Sequence, residues 1–388
     1  MIKISEHPLW LAGFRPFFTL AFLAGMALPI LWALVFSGAL TLPAMPFSVV
    51  QWHAHEMFFG FGWSVLGGFL LTSTKNWVGI RGYHGNALIL LVAAWLIERA
   101  GMWFAGSLSP LLFAVTNNFF LVAIIAMLLW TLLRHRETDS YRTGNLFFLL
   151  VLPAFLLAKN LLLSQSWSAV GYSMTLGLFR MAFLVMLERT LTQFMKGVFQ
   201  ADILRNNLLD WSIKLLALAF VFESLLPQWL AAVIALLLAL LLLLRLMFWK
   251  PQLALRRLDI GIMYLGYLAL AAQLLVIFAG ILHPAAWVGS VSVHVFTFGV
   301  MGLIIPAMLI RICNGHTGRK VVFDGRDKLA LWIMMAAFVL RIIAPQFSPA
   351  LYLRWVDISA VCWFASFALL GWRYIPFLMQ ARVDGKVH

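Results

Sequence analysis

The sequence predicts an all-α, polytopic membrane helical bundle of about twelve transmembrane helices, with both termini cytoplasmic. Three observations carry that expectation. Apolar residues make up 63% of the 388-residue chain and charged residues 11%, where a soluble domain carries about 25% charged residues. The mean hydropathy is +0.96, more apolar surface than a soluble core can bury. Lys and Arg cluster in every second gap between the apolar runs, as the positive-inside rule requires.

A membrane-spanning helix needs roughly 20 apolar residues. Twelve runs meet that need, at about 17–37, 52–72, 85–106, 110–133, 144–164, 168–187, 209–226, 228–249, 258–281, 284–312, 327–346 and 350–375. The N-terminus holds Lys3 and Arg15, and the second gap holds Lys75 and Arg81. The fourth gap holds Arg134, Arg136 and Arg142, and the sixth holds Arg189, Lys196 and Arg205. Arg245, Lys250, Arg256 and Arg257 follow in the eighth region. Arg311, Arg319, Lys320, Arg326 and Lys328 fall around the tenth, and Arg373, Arg382 and Lys386 around the tail. These account for 22 of the 28 basic residues, and Arg354 is the clearest exception on the other side. The whole chain, 1–388, reads as one transmembrane domain. The gap 188–208 reads as a polar, partly helical cytoplasmic connector between two six-helix sets.

Charge and cysteine usage exclude several classes. The formal charge of +14 is accounted for by loop sidedness, so no nucleic-acid partner is expected. Two cysteines, Cys313 and Cys362, give neither a disulfide framework nor a CxxCH motif, which argues against covalent haem attachment and a zinc knuckle. The first apolar run lacks a small-x-small cleavage site and reads as a retained helix.

The densest polar feature inside an apolar run is WHAHEM, Trp52 to Met57. Imidazole is the commonest protein ligand for haem iron, copper and zinc, and intramembrane ionisable residues are functional candidates. On an ideal helix His53 and His55 point about 160° apart. They can share a metal only where the helix starts after them or is distorted. His53 and Glu56 are expected to share a face that continues through Gly60, Ser64 and Gly67. The alternative is that the cluster only anchors the helix end at the interface.

His294 is expected about ten residues inside the tenth run. His316 lies 22 residues beyond it, about 33 Å along a helix, so the two cannot share a metal if that helix is continuous. A short internal echo groups His294 with the second helix. His55 is followed by Gly60 and Gly79, and His294 by Gly299 and Gly318, at the same offsets. Glu98, Arg99, Lys159, Asn160, Arg180, Glu223, Arg341 and Asp357 also fall inside apolar runs. They outline either an outward-opening polar cavity or a set of ion bridges that fix helix packing. Arg180 and Lys159 can neutralise haem propionates or bind a small anion. The cytoplasmic RICNGHTGRK, with Arg311, His316 and Arg319, reads equally as an anion site or as a tight basic turn.

GFRPFF (Gly13 to Phe18), WHAHEM, GGFLLTSTKNWVGIRG (Gly67 to Gly82), His294 with Gly299, RICNGHTGRK and RVDGK (Arg382 to Lys386) together resemble the NnrS family of bacterial membrane proteins. The resemblance spans nearly the whole chain. It implies a haem protein of the inner membrane, with copper as a further metal. The implied role is in nitric oxide metabolism or protection against nitrosative stress, with nitric oxide or nitrosylated metal complexes as ligand and membrane lipid as surroundings. On that reading His55 and His294 are the first-choice ligands and His53 the next, with Glu56 orienting an imidazole. The electron donor is unidentified, and a metal-dependent oxidoreductase is one form the activity can take. Two alternatives remain at this level: a twelve-helix carrier of a small anionic substrate, and a non-catalytic haem-based nitric oxide sensor.

Overall fold

The computed structural model describes residues 3–283 and 287–386, and all of its regular elements are helices. Helix α1 is Phe14–Phe36, α2 Val49–Val78, α3 Asn86–Trp103 and α4 Pro110–Arg134. Then come α5 Phe148–Leu162, α6 Ser168–Phe199, α7 Asn207–Ala219 and α8 Gln228–Phe248. Helices α9 Leu258–Leu282, α10 Val291–Gly315, α11 Gly325–Ile342 and α12 Tyr352–Leu378 complete the chain. Among the described residues ten helices are long and apolar enough to cross a membrane. The fifth and seventh expected runs are occupied by the shorter α5 and α7, of 15 and 13 residues, the latter continued by a 3₁₀ segment Phe220–Leu225.

Local chemistry sets the helix ends. Ser48 Oγ accepts from the Gln51 amide at 3.2 Å while Gln51 Oε1 accepts from the Ser48 amide at 2.7 Å, a reciprocal cap that starts α2. Gly79 ends that helix at φ +70°, a conformation glycine adopts without strain. Asn206 caps α7, and Asp324 caps α11 with Asp327 in the reciprocal role. The basic segment 188–199 is the end of α6, so the expected connector begins as helix.

One expectation shifts. The tenth run reads from residue 284 in the sequence, and residues 284–286 lie outside the described residues. The helix itself begins at Val291, because Gly289 takes φ +76° and breaks the run just before it. His294 therefore sits in the first turn of α10, and not ten residues within it.

The chain divides into two compact units. The first is Met1–Gly171 with Leu309–Val322 and Phe367–His388; the second is Tyr172–Met308 with Phe323–Ser366. In the first unit α1 packs on α2, and α3, α4 and α5 pack in sequence. In the second α9 packs on α8 and on the first half of α10, which also meets α11. Large apolar side chains such as Leu90, Leu111, Met247 and Trp372 point outward, at 67%, 76%, 76% and 83% exposed. Along helices that hold their own backbone hydrogen bonds, such an apolar exterior is the surface of a multi-pass membrane protein.

Candidate functional site

Helix α2 is α-helical from Val49 to His55 and π-helical from Glu56 to Gly62 before it returns to the α form. The switch comes directly after His55. That wider turn brings Glu56 back against its own neighbour, with His55 Nδ1 3.2 Å from Glu56 Oε1. The expected pairing of His53 with Glu56 is replaced by this one. His53 instead stacks on Trp32, ring centroids 3.9 Å apart and nearly parallel. The two histidines thus have separate surroundings.

His55 is fully buried in a charge network built from four helices. Glu56 Oε1 lies 3.2 Å from Arg99 Nη1, and Arg99 also pairs with Glu98. Lys159 Nζ of α5 donates to Glu98 Oε1 at 2.6 Å and to the backbone carbonyl of Asn117 on α4. Glu98 Oε1 stands 3.7 Å from His55 Nε2. Aromatic rings close the network: Arg99 lies 5.4 Å from the Trp95 ring and Lys159 5.7 Å from that of Phe59. Gly60 is needed here, because a side chain would meet the Arg99 guanidinium. Two carboxylates face two cations, so the buried set balances without charge on His55. Of the two expected readings for these residues, this cluster is a closed set of ion bridges. Lys159 is held on Glu98 and Asn117, which leaves it little reach toward a propionate.

His55 Nε2 is buried and has no hydrogen-bond partner. With its proton on Nδ1, held by Glu56, this nitrogen presents a lone pair. A carboxylate on one imidazole nitrogen is the support that a metal-binding histidine has, and Nε2, with Glu98 Oε1 3.7 Å away, is the nitrogen that would take an iron.

The second unit repeats the device. Helix α10 is α-helical from Val291 to His294 and π-helical from Val295 to Met301. His294 Nδ1 lies 2.8 Å from the Ser290 carbonyl oxygen, which fixes the proton on Nδ1. Its Nε2 faces Arg341 Nη2 at 3.3 Å, and Arg341 also reaches the Tyr352 hydroxyl at 3.3 Å. Gly299, five residues on, lets the π segment approach Ala269 and Phe338. The glycine echo between the two helices is therefore also an echo in backbone form. Arg180 is buried in the same unit against Phe220 and Gln273. Arg180 and Lys159, grouped in the sequence by chemistry, belong to different units.

The RICNGHTGRK motif ends in a turn clasped by two distant segments of the first unit. Arg382 Nη1 donates to the His316 carbonyl at 3.0 Å, and the Val383 amide to the Thr317 carbonyl at 3.1 Å. Arg319 lies 3.8 Å from the Phe377 ring and donates to Gln380 Oε1 at 3.1 Å. Arg15 Nη1 donates to the carbonyls of Leu378 and Gln380, at 2.9 and 2.6 Å, capping the end of α12. Phe14 packs on the His316 ring at 5.4 Å, and Arg311 is buried in α10. GFRPFF, GHTGRK and RVDGK thus meet in one place, and the contacts favour the tight-turn reading over an anion site. Burial, with Lys75 and Arg382 nearby, lowers the His316 pKa to about 4. Arg382 holds Asp384 at about 2.

Sequence reasoning did not pick out Asn117, Gln273 or Tyr352. The first two are lone amides within apolar runs, a signal that intramembrane polarity alone offers. Among the described residues no group of three or more His, Cys, Asp or Glu is arranged to hold a metal ion. The candidate ligands His55 and His294 are single imidazoles in different units.

No curated protein matches the chain. The family model described as NnrS protein matches residues 8–382, and the chain belongs to the NnrS family.

Proposed function

We propose that this protein is a haem protein of the bacterial inner membrane that handles nitric oxide, either in its metabolism or in protection against nitrosative stress. The observation that carries the reading is the repeated histidine device. His55 and His294 each precede a seven-residue π segment, and each has Nδ1 fixed on an oxygen, Glu56 Oε1 or the Ser290 carbonyl. That leaves His55 Nε2 without a hydrogen bond, whereas His294 Nε2 is met by Arg341, which would have to yield it to a metal. Single-turn π segments are frequent at functional sites. Family membership supplies the nitric oxide link, and burial within membrane helices supports it, since apolar nitric oxide partitions into lipid.

A bound haem would supply an iron that takes nitric oxide as a ligand. The chain's own part is then to hold the imidazoles in one tautomer, exclude water and keep balanced charge around His55.

Titrating the purified protein with nitric oxide under anaerobic conditions tests the reading. A saturable shift in the visible spectrum, absent in His55→Ala or His294→Ala, is the expected result. An unaltered spectrum at saturating nitric oxide would remove it. Loss of nitric oxide over many equivalents marks turnover, and a shift without loss marks a sensor.

A further inference from the structure

The first unit contains a cavity of about 380 Å³, walled by Lys75, Arg81, Tyr83, His84, Trp130 and His135 among others. It sits where three helices end. Lys75 is in the last turn of α2, the wall residue Ala87 is in the first turn of α3, and His135 follows the last residue of α4. Apolar helices that stop together mark the membrane surface. Trp130, 67% exposed, is the amphipathic ring expected at that level.

The wall carries cations and no carboxylate. Among the described residues neither Lys75 nor Arg81 stands in an ion pair, and the charges that bear on Lys75 are those of Arg81 and Arg382. Other enclosed cations of this chain are matched, Lys159 by Glu98 and Arg245 by Asp210. The turn between α2 and α3 holds the unmatched pair in place. Gly82 makes room for the Lys75 stem, since a Cβ there would sit 2.8 Å from Lys75 Cδ. The Gly85 amide donates to the Trp10 carbonyl at 2.8 Å, and Gly85 gives α3 no capping side chain. The positive end of α3 therefore adds to the two cations. A point charge, a planar guanidinium and helix amides together suit an oxyanion with several acceptor oxygens. Leu71, Ile80 and Trp130 add an apolar wall for the carbon skeleton of an ester.

We propose that this cavity binds a phosphate group, carried by an anionic phospholipid or by a soluble phosphate. Lys75 and Arg81 pair with its oxygens, and the first turn of α3 faces it. Basic residues at the membrane surface attract anionic headgroups in general. Here they line one enclosed recess with a helix end and an aromatic wall, which gives the anion a defined seat. The site is separate from both histidine clusters, and binding is measured without any cofactor signal.

The test uses the full chain, purified in detergent and stripped of lipid, in two arms. One adds phosphatidylglycerol, with phosphatidylcholine as the zwitterionic comparison, and counts retained lipid by native mass spectrometry. The other adds radiolabelled inorganic phosphate and reads equilibrium dialysis. Saturable one-to-one binding is expected, and the arm in which it occurs names the source. Lys75→Gln should weaken it about tenfold. Arg81→Glu, at an exposed position, should weaken it at least as much. Arg256→Gln changes an exposed basic residue of the second unit and should leave binding unaltered. Elution and helical circular dichroism matching the parent protein identify folded variants. Absence of saturable binding in both arms overturns the proposal. So does binding unchanged in folded Arg81→Glu, equal retention of phosphatidylcholine, or an equal loss in Arg256→Gln, which marks general attraction to a basic surface.

Discussion

At the residue scale, the chemistry rests on charges that the bilayer would not tolerate singly. Lys159 and Glu98 are each fully buried and bonded to one another. Lys159→Met leaves Glu98 with only Arg99 and should destabilise the protein by about 3–5 kcal/mol. Adding Glu98→Gln should recover part of that loss, and thermal unfolding of the four proteins in one detergent gives the coupling. His316 makes the pH prediction. Its pKa is lower in the folded protein, about 4, than in the unfolded chain, about 6.5. Between those values the unfolded chain binds a proton that the folded one does not. Stability is therefore complete above about pH 6.5 and falls as the pH drops toward 4, by at most about 1.4 kcal/mol per unit. His316→Gln should flatten that part of the pH–stability curve.

At the element scale, the two π segments are the feature that the sequence hid. The apolar runs around His55 and His294 read the same whether the backbone closes i→i+4 or i→i+5, so periodicity placed the helices and missed their form. The glycines at Gly60 and Gly299 were the visible trace, because each marks where another side chain comes close. A methyl group at Gly299 would sit 2.8 Å from Ala269 Cβ and 2.9 Å from the Phe338 ring. Gly299→Ala should cost about 1–3 kcal/mol through overpacking, whereas Gly280→Ala, with open space around it, should stay within about 1 kcal/mol. Equal stability of the two variants would show that the close approach is not maintained. The start of α10 is hidden for a related reason: Gly289 breaks a run that hydropathy alone counts as continuous.

At the scale of the whole molecule, the class was legible because it depends on composition and on the spacing of apolar runs, both local properties. Each expected run is met by a helix, though α5 and α7 are shorter than a full span. The partnerships were not legible. Glu98 and Lys159 lie 61 residues apart and His294 and Arg341 47 apart, and nothing local says which buried cation finds which carboxylate. The convergence of GFRPFF, GHTGRK and RVDGK was equally invisible, since they stand at opposite ends of the chain. Sidedness gives a further prediction. A fluorescent protein fused after the C-terminus should fold and fluoresce, as it does in the cytoplasm, and a dark but full-length fusion would reverse the orientation.

The most direct test of the central claim is an absorption spectrum of the purified full-length protein, oxidised and reduced, with iron and copper measured on the same sample. The account predicts a Soret band with near-stoichiometric iron that is lost in His55→Ala or His294→Ala. A colourless, iron-free protein from cells supplied with ample haem, or full haem absorbance in both variants, would contradict it.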